Sequence, residues 1–383
     1  MDTSIPTTCT TIVGTELANI QDALALNNLS GKGKYSRLCE EWLEQFMSTG
    51  RALVVSSCTS ALEMAAILAD IKPGDEVIVP SYTYVSTVNA FVLHGAVPVF
   101  VDLDDATMTI DASLIEAAVT SKTRVIVPVH YGGVACDMDK IMEVAQKHRL
   151  FVCEDAAMAC TSTYKGRMLG TIGHVGCISF QEKKNFTAGG QGGALLLNDA
   201  GLVARAETLY EHGTNRARFL RGEVDRYQWL DVGLNATLSE LQAAFLYAQL
   251  QAADGINGRR LHIWNRYHAA LAPLVDRGYI TLPHVPDGTT HNANVFYIRV
   301  SDAEQRSDLM RHMGKAKVQT HPQFMPLHSS PFGLVHGRFS GVDRVTTLAT
   351  SQILLLPVHL TLSDEEQERV IREVMAFWGV SSD

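Results

Sequence analysis

The chain has 383 residues, of which 46% are hydrophobic, so it can bury a large core and is not a disordered protein. Its formal net charge of −9 offers no basic field to a phosphate backbone, which argues against nucleic acid as a partner. No segment stays apolar for the roughly 20 residues of a membrane-spanning helix, and no signal peptide is apparent, so we expect a cytoplasmic protein without membrane contacts.

Short β-branched runs alternate with helical stretches from about residue 52 to residue 157. The predicted strands are ALVVSS, EVIVP, PVFVD, TRVIVPVH and LFVCEDA, and the predicted helices are TSALEMAAILAD and the stretches 85–93 and 138–148. This alternation is typical of repeated βαβ units with a mostly parallel sheet. The strands are continuous apolar runs, as expected when helices cover both faces of the sheet.

Two further strands, CISF and ALLL, follow this block, and a helix is predicted to begin at Thr237 with Glu240 as its capping-box partner. The pattern loosens after residue 257, and a last helix is predicted behind Ser363. We therefore predict an α/β fold with a large domain over residues 1–257 and a smaller C-terminal α/β domain over residues 258–383.

The segment VVSSCTSALEMAA predicts a phosphate site. A strand passes directly into a helix that opens at Cys58 and Thr59. Free backbone N–H groups and the positive dipole end lie at such a helix start, and the Thr59 hydroxyl adds a donor. The alternative is that Thr59 is an ordinary N-cap, and the segment alone does not decide between the two.

Asp155 ends the apolar strand in LFVCEDA and is therefore expected at the carboxyl edge of the sheet, where open α/β folds bind ligands. A carboxylate there needs a cationic partner, because desolvating it alone is costly. The pyridinium nitrogen of pyridoxal 5'-phosphate (PLP) is one such partner. Helix capping or a salt bridge to a lysine or arginine remains the alternative.

In ISFQEKKNFTAGGQGG, a strand leads to a lysine pair followed by four glycines in five positions. Lys184 is predicted to condense with the PLP aldehyde, and a neighbouring cation, such as Lys183 or the pyridinium, is expected to lower its pKa. The glycines would let the backbone turn tightly and approach a bulky ring. A solvated lysine pair before a glycine turn is the alternative, and Ser179 is either a phosphate donor or a strand-end hydroxyl.

Other nucleotide and metal motifs are absent. Neither SGKGKYS nor AGGQGG fits the P-loop pattern G-x-x-x-x-G-K-[ST], and the seven cysteines form no C-x-x-C pair. The histidines near strand ends lack metal-ligand spacing and are interpreted as structural: His130, His321, His328 and His359. We expect no metal site.

The phosphate turn, the strand-end aspartate and the lysine before AGGQGG occur in one order. With PGDEVIVPSYTYVSTVNA, GLNATLSELQAA, MPLH and LLLPVHLTLSDEE, this set resembles the DegT/DnrJ/EryC1/StrS family of sugar aminotransferases over nearly the whole chain. The resemblance implies PLP-dependent fold type I, a homodimer with shared active sites, and L-glutamate as amino donor. SCTSALEMAA and PVHYGGVACDMD further imply a nucleotide-sugar acceptor, dTDP-4-keto-6-deoxyglucose, aminated at C4 to dTDP-4-amino-4,6-dideoxygalactose.

The same resemblance assigns roles to individual residues. It implies that Lys184 is the Schiff-base lysine, that Asp155 is the partner of the pyridine nitrogen, and that Tyr84 stacks on the ring. The phosphate cradle is implied to comprise Cys58, Thr59 and Ser179, and Asn235 is implied to reach the phosphate of the neighbouring subunit's cofactor.

Five positions depart from the family pattern. Met158 stands where relatives have Gln or His beside the cofactor's phenolic oxygen, and Gln181 and Gln191 replace a His and a Glu. Gln323 and Phe324 replace a His-Tyr pair. These departures leave two alternatives open: a PLP enzyme of this fold with an altered substrate or reaction, such as dehydration, or a non-catalytic PLP-binding protein.

Overall fold

The computed structural model describes residues 4–10 and 12–380. Its helices are α1 (Glu16–Ala25), α2 (Lys34–Met47), α3 (Cys58–Leu68), α4 (Ser86–Val92), α5 (Ala112–Ala118), α6 (Met138–His148), α7 (Val203–Tyr210), α8 (Arg216–Leu220), α9 (Glu240–Gln251), α10 (Ala253–Ala270), α11 (Ala272–Asp276), α12 (Ala303–Lys315), α13 (Pro331–His336), α14 (Thr346–Gln352) and α15 (Asp364–Phe377). Its strands are β1 (Arg51–Val55), β2 (Glu76–Pro80), β3 (Val97–Val101), β4 (Thr123–Ile126), β5 (Phe151–Asp155), β6 (Thr163–Tyr164), β7 (Arg167–Met168), β8 (Val175–Ser179), β9 (Gly193–Leu197), β10 (Thr289–Thr290), β11 (Phe296–Arg299), β12 (Arg338–Phe339) and β13 (Ile353–Leu356).

An eight-stranded sheet forms the centre of the molecule, in the order β1-β9-β8-β5-β4-β2-β3-β12. Parallel pairing joins the strands from β12 through β3, β2, β4 and β5 to β8, whereas β9 runs antiparallel to both β8 and β1. The carboxyl ends of β1, β2, β5 and β8 therefore meet at one edge. The mostly parallel sheet predicted from the alternating pattern is confirmed.

Helices cover both faces of this sheet, as the alternate side chains of β1 show. Its Ala52 and Val54 belong to the cluster of buried apolar side chains that includes α2, α5, α6 and α9. Leu53 and Val55 belong to a second cluster with α3, α4 and α7. Because successive side chains of a strand point to opposite faces, an apolar run of this kind fits a strand buried on both sides.

The helix predicted to begin at Thr237 begins three residues later. Ser239 is the N-cap of α9, and its hydroxyl accepts a backbone hydrogen bond of the first turn at 3.3 Å. Thr237 instead forms an isolated antiparallel bridge with Val55. The predicted capping box is wrong because the Glu240 carboxylate accepts hydrogen bonds from the backbone of residues 33–36.

The last predicted helix is confirmed. In α15, Ser363 and Glu366 form a complete capping box, and Val370, Ile371 and Val374 are buried. The capping box joins residues three positions apart, which is why the sequence pattern alone predicts it. Among the helices of the described chain, none is long and apolar enough to cross a membrane.

A further apolar cluster lies around the β11–β13 pair, α12 and α15. The domain boundary predicted after residue 257 falls inside α10, a single helix. Its Ile256 packs in the cluster of the large sheet, and its Ile263 packs in the C-terminal cluster. Ile5, near the other end of the chain, also belongs to the C-terminal cluster. A division of the chain at residue 257 stays a prediction.

Candidate active site

The predicted site residues gather at the carboxyl edge of the central sheet. Cys58 and Thr59 follow β1, Tyr84 follows β2, Asp155 ends β5 and Ser179 ends β8. Because these strands are parallel, their ends bring segments from distant parts of the sequence to one place. Residues at this common edge can form one site, and the contacts of each side chain decide what that side chain can bind.

The turn from β1 into α3 leaves backbone donors free. Ser57 is the N-cap of α3, and its hydroxyl accepts the N–H of Ser60 at 3.1 Å. Cys58 and Thr59 occupy the first two helical positions, and within the described residues neither backbone N–H donates to a protein acceptor. Thr59 is therefore not the N-cap that the alternative interpretation required. The free N–H groups, the Thr59 hydroxyl and the positive end of α3 can hold a phosphate.

The glycine run after Lys184 packs against this turn. A Cβ on Gly193, the first residue of β9, would lie 2.5 Å from the backbone of both Ser57 and Cys58, so only glycine fits there. Gly189 has a φ of +74°, which also favours glycine. The sequence suggested a close approach to a bulky ring. At Gly193, the close neighbour is instead the backbone of the phosphate turn.

Asp155 is 5% exposed and is held by uncharged donors. Its Oδ2 accepts the hydroxyl of Thr87 at 2.6 Å, and its Oδ1 accepts the N–H of Ala157 at 3.1 Å. Among residues 4–10 and 12–380, no lysine or arginine forms an ion pair within 4.0 Å of it. The salt-bridge alternative therefore finds no partner in this part of the chain, and the carboxylate is available to a bound cation.

Thr87 and Thr83 are contacts of the site that sequence reasoning missed. Thr83 Oγ1 lies 2.8 Å from Thr87 Oγ1, and both side chains are buried. In the sequence, the only local sign of this contact is the four-residue spacing of the two threonines at the start of the helix predicted over 85–93. The partner, Asp155, lies 68 residues further along the chain, so only the folded sheet reveals the contact.

Lys183 and Lys184 have different surroundings. Lys183 is exposed, whereas Lys184 is half-buried. Burial lowers the pKa of Lys184, while Asp155 and Cys58 act in the opposite direction and therefore lie within electrostatic range of its amine. Contrary to the expectation for Lys183, this exposed side chain is not among the groups that shift the pKa of Lys184. A lowered pKa increases the fraction of Lys184 present as the nucleophilic free amine.

Met158 lies in an apolar wall near the site. It is 7% exposed and belongs to a buried cluster that includes Tyr82 and Tyr131, with Phe324 packed against it. The hydroxyls of Tyr82 and Tyr131 lie 3.1 Å apart and bind each other. Tyr84 is 61% exposed, and its ring centroid is 6.3 Å from that of Phe324. The exposed ring of Tyr84 is free to stack on a ligand.

The glutamines at the unusual positions make different contacts. Gln181 Oε1 accepts the backbone N–H of Lys183 at 2.9 Å. Gln191 is exposed, and its backbone oxygen accepts the side-chain amide of Gln242 at 2.8 Å. Gln323 Oε1 is buried and has no hydrogen-bond partner among the described residues. Of the three, Gln323 is the one whose side-chain oxygen is buried without a partner in the described chain.

Asn235 makes no hydrogen bond to the other predicted site residues in the described part of its own chain. Its side chain is exposed, and no hydrogen bond links it to another residue of the described ranges. The next residue, Ala236, accepts the backbone N–H of Ser56 at 2.7 Å, which fixes the segment beside the phosphate turn. The chain thus presents Asn235 outward from a firmly held backbone.

The histidines at strand ends take part in internal hydrogen bonds. His130 Nε2 lies 3.0 Å from Glu154 Oε2, and its Nδ1 accepts the N–H of Cys136 at 3.2 Å. His328 Nδ1 lies 2.7 Å from the hydroxyl of Ser81. Across residues 4–10 and 12–380, no three side chains of His, Cys, Asp or Glu are grouped so that they could hold a metal ion.

The arrangement fits pyridoxal phosphate in three respects. The free N–H groups at Cys58 and Thr59, with the hydroxyl of Ser179, suit a phosphate. The Asp155 carboxylate has no cationic hydrogen-bond partner in the described chain, which suits a protonated ring nitrogen. The half-buried amine of Lys184 suits an aldehyde.

Three known proteins show similarity over most of their length. The chain is 35% identical to the spore coat polysaccharide biosynthesis protein SpsC of Bacillus subtilis, over 94% of this chain and 93% of SpsC. It is 32% identical to the GDP-perosamine synthase of Caulobacter vibrioides, over 94% of both chains. The solved structure of NtdA from Bacillus subtilis with bound cofactor PMP has a TM-score of 0.85 and 29% identity, and covers 96% of this chain and 82% of NtdA.

The family comparison agrees with these similarities. The profile of the DegT/DnrJ/EryC1/StrS aminotransferase family matches residues 10–375. The predicted family and the PLP-dependent fold type I are confirmed. The expected cofactor, PLP, is the one named for a similar solved structure, the PLP form of the putative sugar aminotransferase Spr1654 from Streptococcus pneumoniae, which has 25% identity and a TM-score of 0.86 and covers 98% of both chains. The chain belongs to the DegT/DnrJ/EryC1/StrS aminotransferase family.

Proposed function

We propose that this protein uses PLP to transfer the amino group of L-glutamate to the C4 keto group of a nucleotide-linked 4-keto-6-deoxyhexose. The specific reaction that we propose converts dTDP-4-keto-6-deoxyglucose to dTDP-4-amino-4,6-dideoxygalactose. The observation that carries the proposal is the half-buried Lys184, whose pKa is lowered by burial, at the same sheet edge as Asp155. Similarity to a GDP-perosamine synthase supports a nucleotide sugar as the acceptor.

The protein's part in binding is to hold both ends of the cofactor. When bound, PLP supplies an aldehyde that condenses with amines and a ring that withdraws electrons from the attached carbon. Asp155 stabilises the proton on the ring nitrogen, because a carboxylate next to that nitrogen favours its charged form. Cys58, Thr59 and Ser179 donate hydrogen bonds to the phosphate, and Tyr84 stacks on the ring.

The amine of Lys184 performs the proton transfers. When PLP is bound, Lys184 would hold its aldehyde, and the arrival of the glutamate amine would leave the lysine amine free. Its Nζ then takes the proton from the glutamate Cα as a general base. In the second half-reaction, the same Nζ delivers a proton to C4 of the sugar. The lowered pKa of Lys184 favours the free amine that the first transfer requires.

We also propose a homodimer in which Asn235 completes the site of the partner subunit. Asn235 is exposed, and exposed apolar side chains precede it in the sequence: Tyr227, Trp229, Leu230 and Val232. The Trp229 side chain is 80% exposed. Exposed apolar groups of this kind are typical of interfaces. The amide of Asn235 can donate to a phosphate across such an interface.

A second candidate function keeps the scaffold but changes the substrate or the bond that reacts, as in a dehydration. The apolar surroundings of Met158 favour it, because a thioether cannot donate a hydrogen bond to the cofactor's phenolic oxygen. The retained Lys184 argues against dehydration, since the deoxygenating relatives carry histidine there. If Met158 sets the reaction, Met158→Gln should change the product ratio on a ketosugar, as measured by mass spectrometry.

The decisive experiment mixes purified protein with PLP, L-glutamate and a nucleotide 4-ketosugar. Parallel reactions contain the dTDP-linked and the GDP-linked ketosugar, and mass spectrometry detects 2-oxoglutarate and the amino sugar. Lys184→Ala is the matched inactive control. The absence of turnover on any nucleotide 4-ketosugar would contradict the proposal. Binding of PLP without any turnover would favour a non-catalytic protein.

A further inference from the structure

Thr83, in the turn after β2, and Thr87, in the first turn of α4, connect to the Asp155 carboxylate. Thr87 Oγ1 lies 2.6 Å from Asp155 Oδ2, and Thr83 Oγ1 lies 2.8 Å from Thr87 Oγ1. All three side chains are buried. The chain of contacts therefore operates away from bulk water, where each hydrogen bond has a larger electrostatic effect.

The hydrogen bonds in this chain have a defined direction. An ionised carboxylate can only accept, so Thr87 must use its single hydroxyl proton to donate to Asp155. Thr83 must then donate to the oxygen of Thr87. The other carboxylate oxygen of Asp155 accepts the N–H of Ala157 at 3.1 Å. Each oxygen thus receives one protein donor and keeps acceptor capacity for a ligand.

We propose that Thr87 is a positioning residue that holds Asp155, through one oxygen, as an anion facing the cofactor's pyridine nitrogen. This inference rests on the proposed binding of PLP at this site. A hydrogen bond donated to a carboxylate favours its charged form, and it also limits rotation of the side chain. Thr83 supports this role. Because Thr83 donates its hydroxyl proton to Thr87 Oγ1, the hydroxyl proton of Thr87 has only Asp155 as an acceptor.

Other titratable groups also face Asp155. The Lys184 amine and the Cys58 thiol lie within its electrostatic range, and so does the thiol of Cys177 on the adjacent strand β8. Burial raises the pKa of both thiols, which keeps them uncharged near neutral pH. Thr87 is the only side chain of the described residues that donates a hydrogen bond to Asp155.

The test compares the wild type with Thr87→Val and Thr87→Ser. Each protein is titrated with PLP that carries an isotope label at the ring nitrogen, and the binding constant and the nitrogen resonance are measured. We expect Thr87→Val to weaken PLP binding roughly ten- to hundredfold, as for the loss of a hydrogen bond to a charged group. Its ring-nitrogen resonance should shift towards the unprotonated position. Thr87→Ser retains the hydroxyl and should restore both properties.

A matched control breaks a similar chain elsewhere. Thr107 Oγ1 donates to Asp104 Oδ1 at 2.9 Å and lies 2.8 Å from the hydroxyl of Thr109. Thr107→Val should leave PLP binding and the ring-nitrogen resonance unchanged. If Thr87→Val behaves like this control, even with lower stability, its role is structural only and the inference is overturned. A wild-type protein that binds no PLP would instead overturn the proposed function, and this inference with it.

Discussion

Lys183 and Lys184 are neighbours in the chain, yet only Lys184 lies within electrostatic range of Asp155. We expect Lys184→Ala to lower turnover roughly 100- to 10,000-fold, because it removes the amine that carries the proton in both half-reactions. Lys183→Ala should leave turnover unchanged. Borohydride reduction of the PLP-loaded wild type, followed by peptide mass spectrometry, should find the cofactor on Lys184. A labelled Lys183 would show that the wrong lysine has been assigned.

The same lysine has a predicted effect on stability. Burial holds the pKa of Lys184 in the folded protein below its ordinary value of 10.5. At a pH below the folded-state pKa, the folded protein bears the full cost of a buried ammonium. This cost shrinks as the pH rises through the folded-state pKa, and it vanishes above 10.5. The cofactor-free enzyme should therefore become relatively more stable towards alkaline pH.

Calorimetry of cofactor-free variants can measure this effect. We expect Lys184→Met to melt at a higher temperature than the wild type at neutral pH, because the variant buries no charge. The difference should narrow as the pH approaches 10.5. Lys183→Met, at an exposed position, should show no pH-dependent difference from the wild type. If the difference in melting temperature between Lys184→Met and the wild type stayed constant with pH, the explanation by a buried ammonium would be contradicted.

At the scale of single elements, features that depend on neighbouring residues were predictable. The boundaries of β2 and α6, and the capping box of α15, follow from local patterns and agree with the structure. The start of α9 was predicted wrongly because Thr237 and Glu240 have the spacing of a capping box, but the backbone of Thr237 bridges to Val55 and the Glu240 carboxylate binds other residues. A sequence pattern cannot show that Glu240 is used by residues 33–36, about 200 positions earlier.

The contacts of Glu240 predict a large effect on stability. Its buried carboxylate accepts the N–H groups of Gly33 and Tyr35 at 2.8 Å and that of Ser36 at 3.2 Å, and it also accepts the hydroxyl of Ser36. Glu240→Gln turns one acceptor into a donor that faces these donors. We expect the free energy of unfolding to fall by about 1.5–3 kcal/mol, measured by denaturant titration. Glu41→Gln, at an exposed position of α2, should change it by less than about 0.5 kcal/mol.

At the scale of the whole molecule, the parallel sheet explains which parts of the site were predictable. Asp155 and Ser179 end strands, so their place at one edge followed from the predicted order of elements. Thr87 was not predictable, because its contact with Asp155 depends on how the first turn of α4 packs against the end of β5. The contacts that shape the site thus come from tertiary packing, even where the chemical groups are visible in the sequence.

The proposed dimer can be tested by combining two disabled chains. Lys184→Ala lacks the amine, and Asn235→Asp places a carboxylate opposite the partner's phosphate, which should repel it. In a mixed dimer, one site carries both changes, while the other combines native Lys184 from one protomer with native Asn235 from its partner. Mixed dimers isolated with two different affinity tags should show about half of the wild-type rate per dimer, whereas each pure variant stays inactive. Inactive mixed dimers would show that Asn235 does not act across the interface. Each mixed dimer contains one native Lys184 and one native Asn235, but on different chains, so a site built from a single chain would always lack one of them.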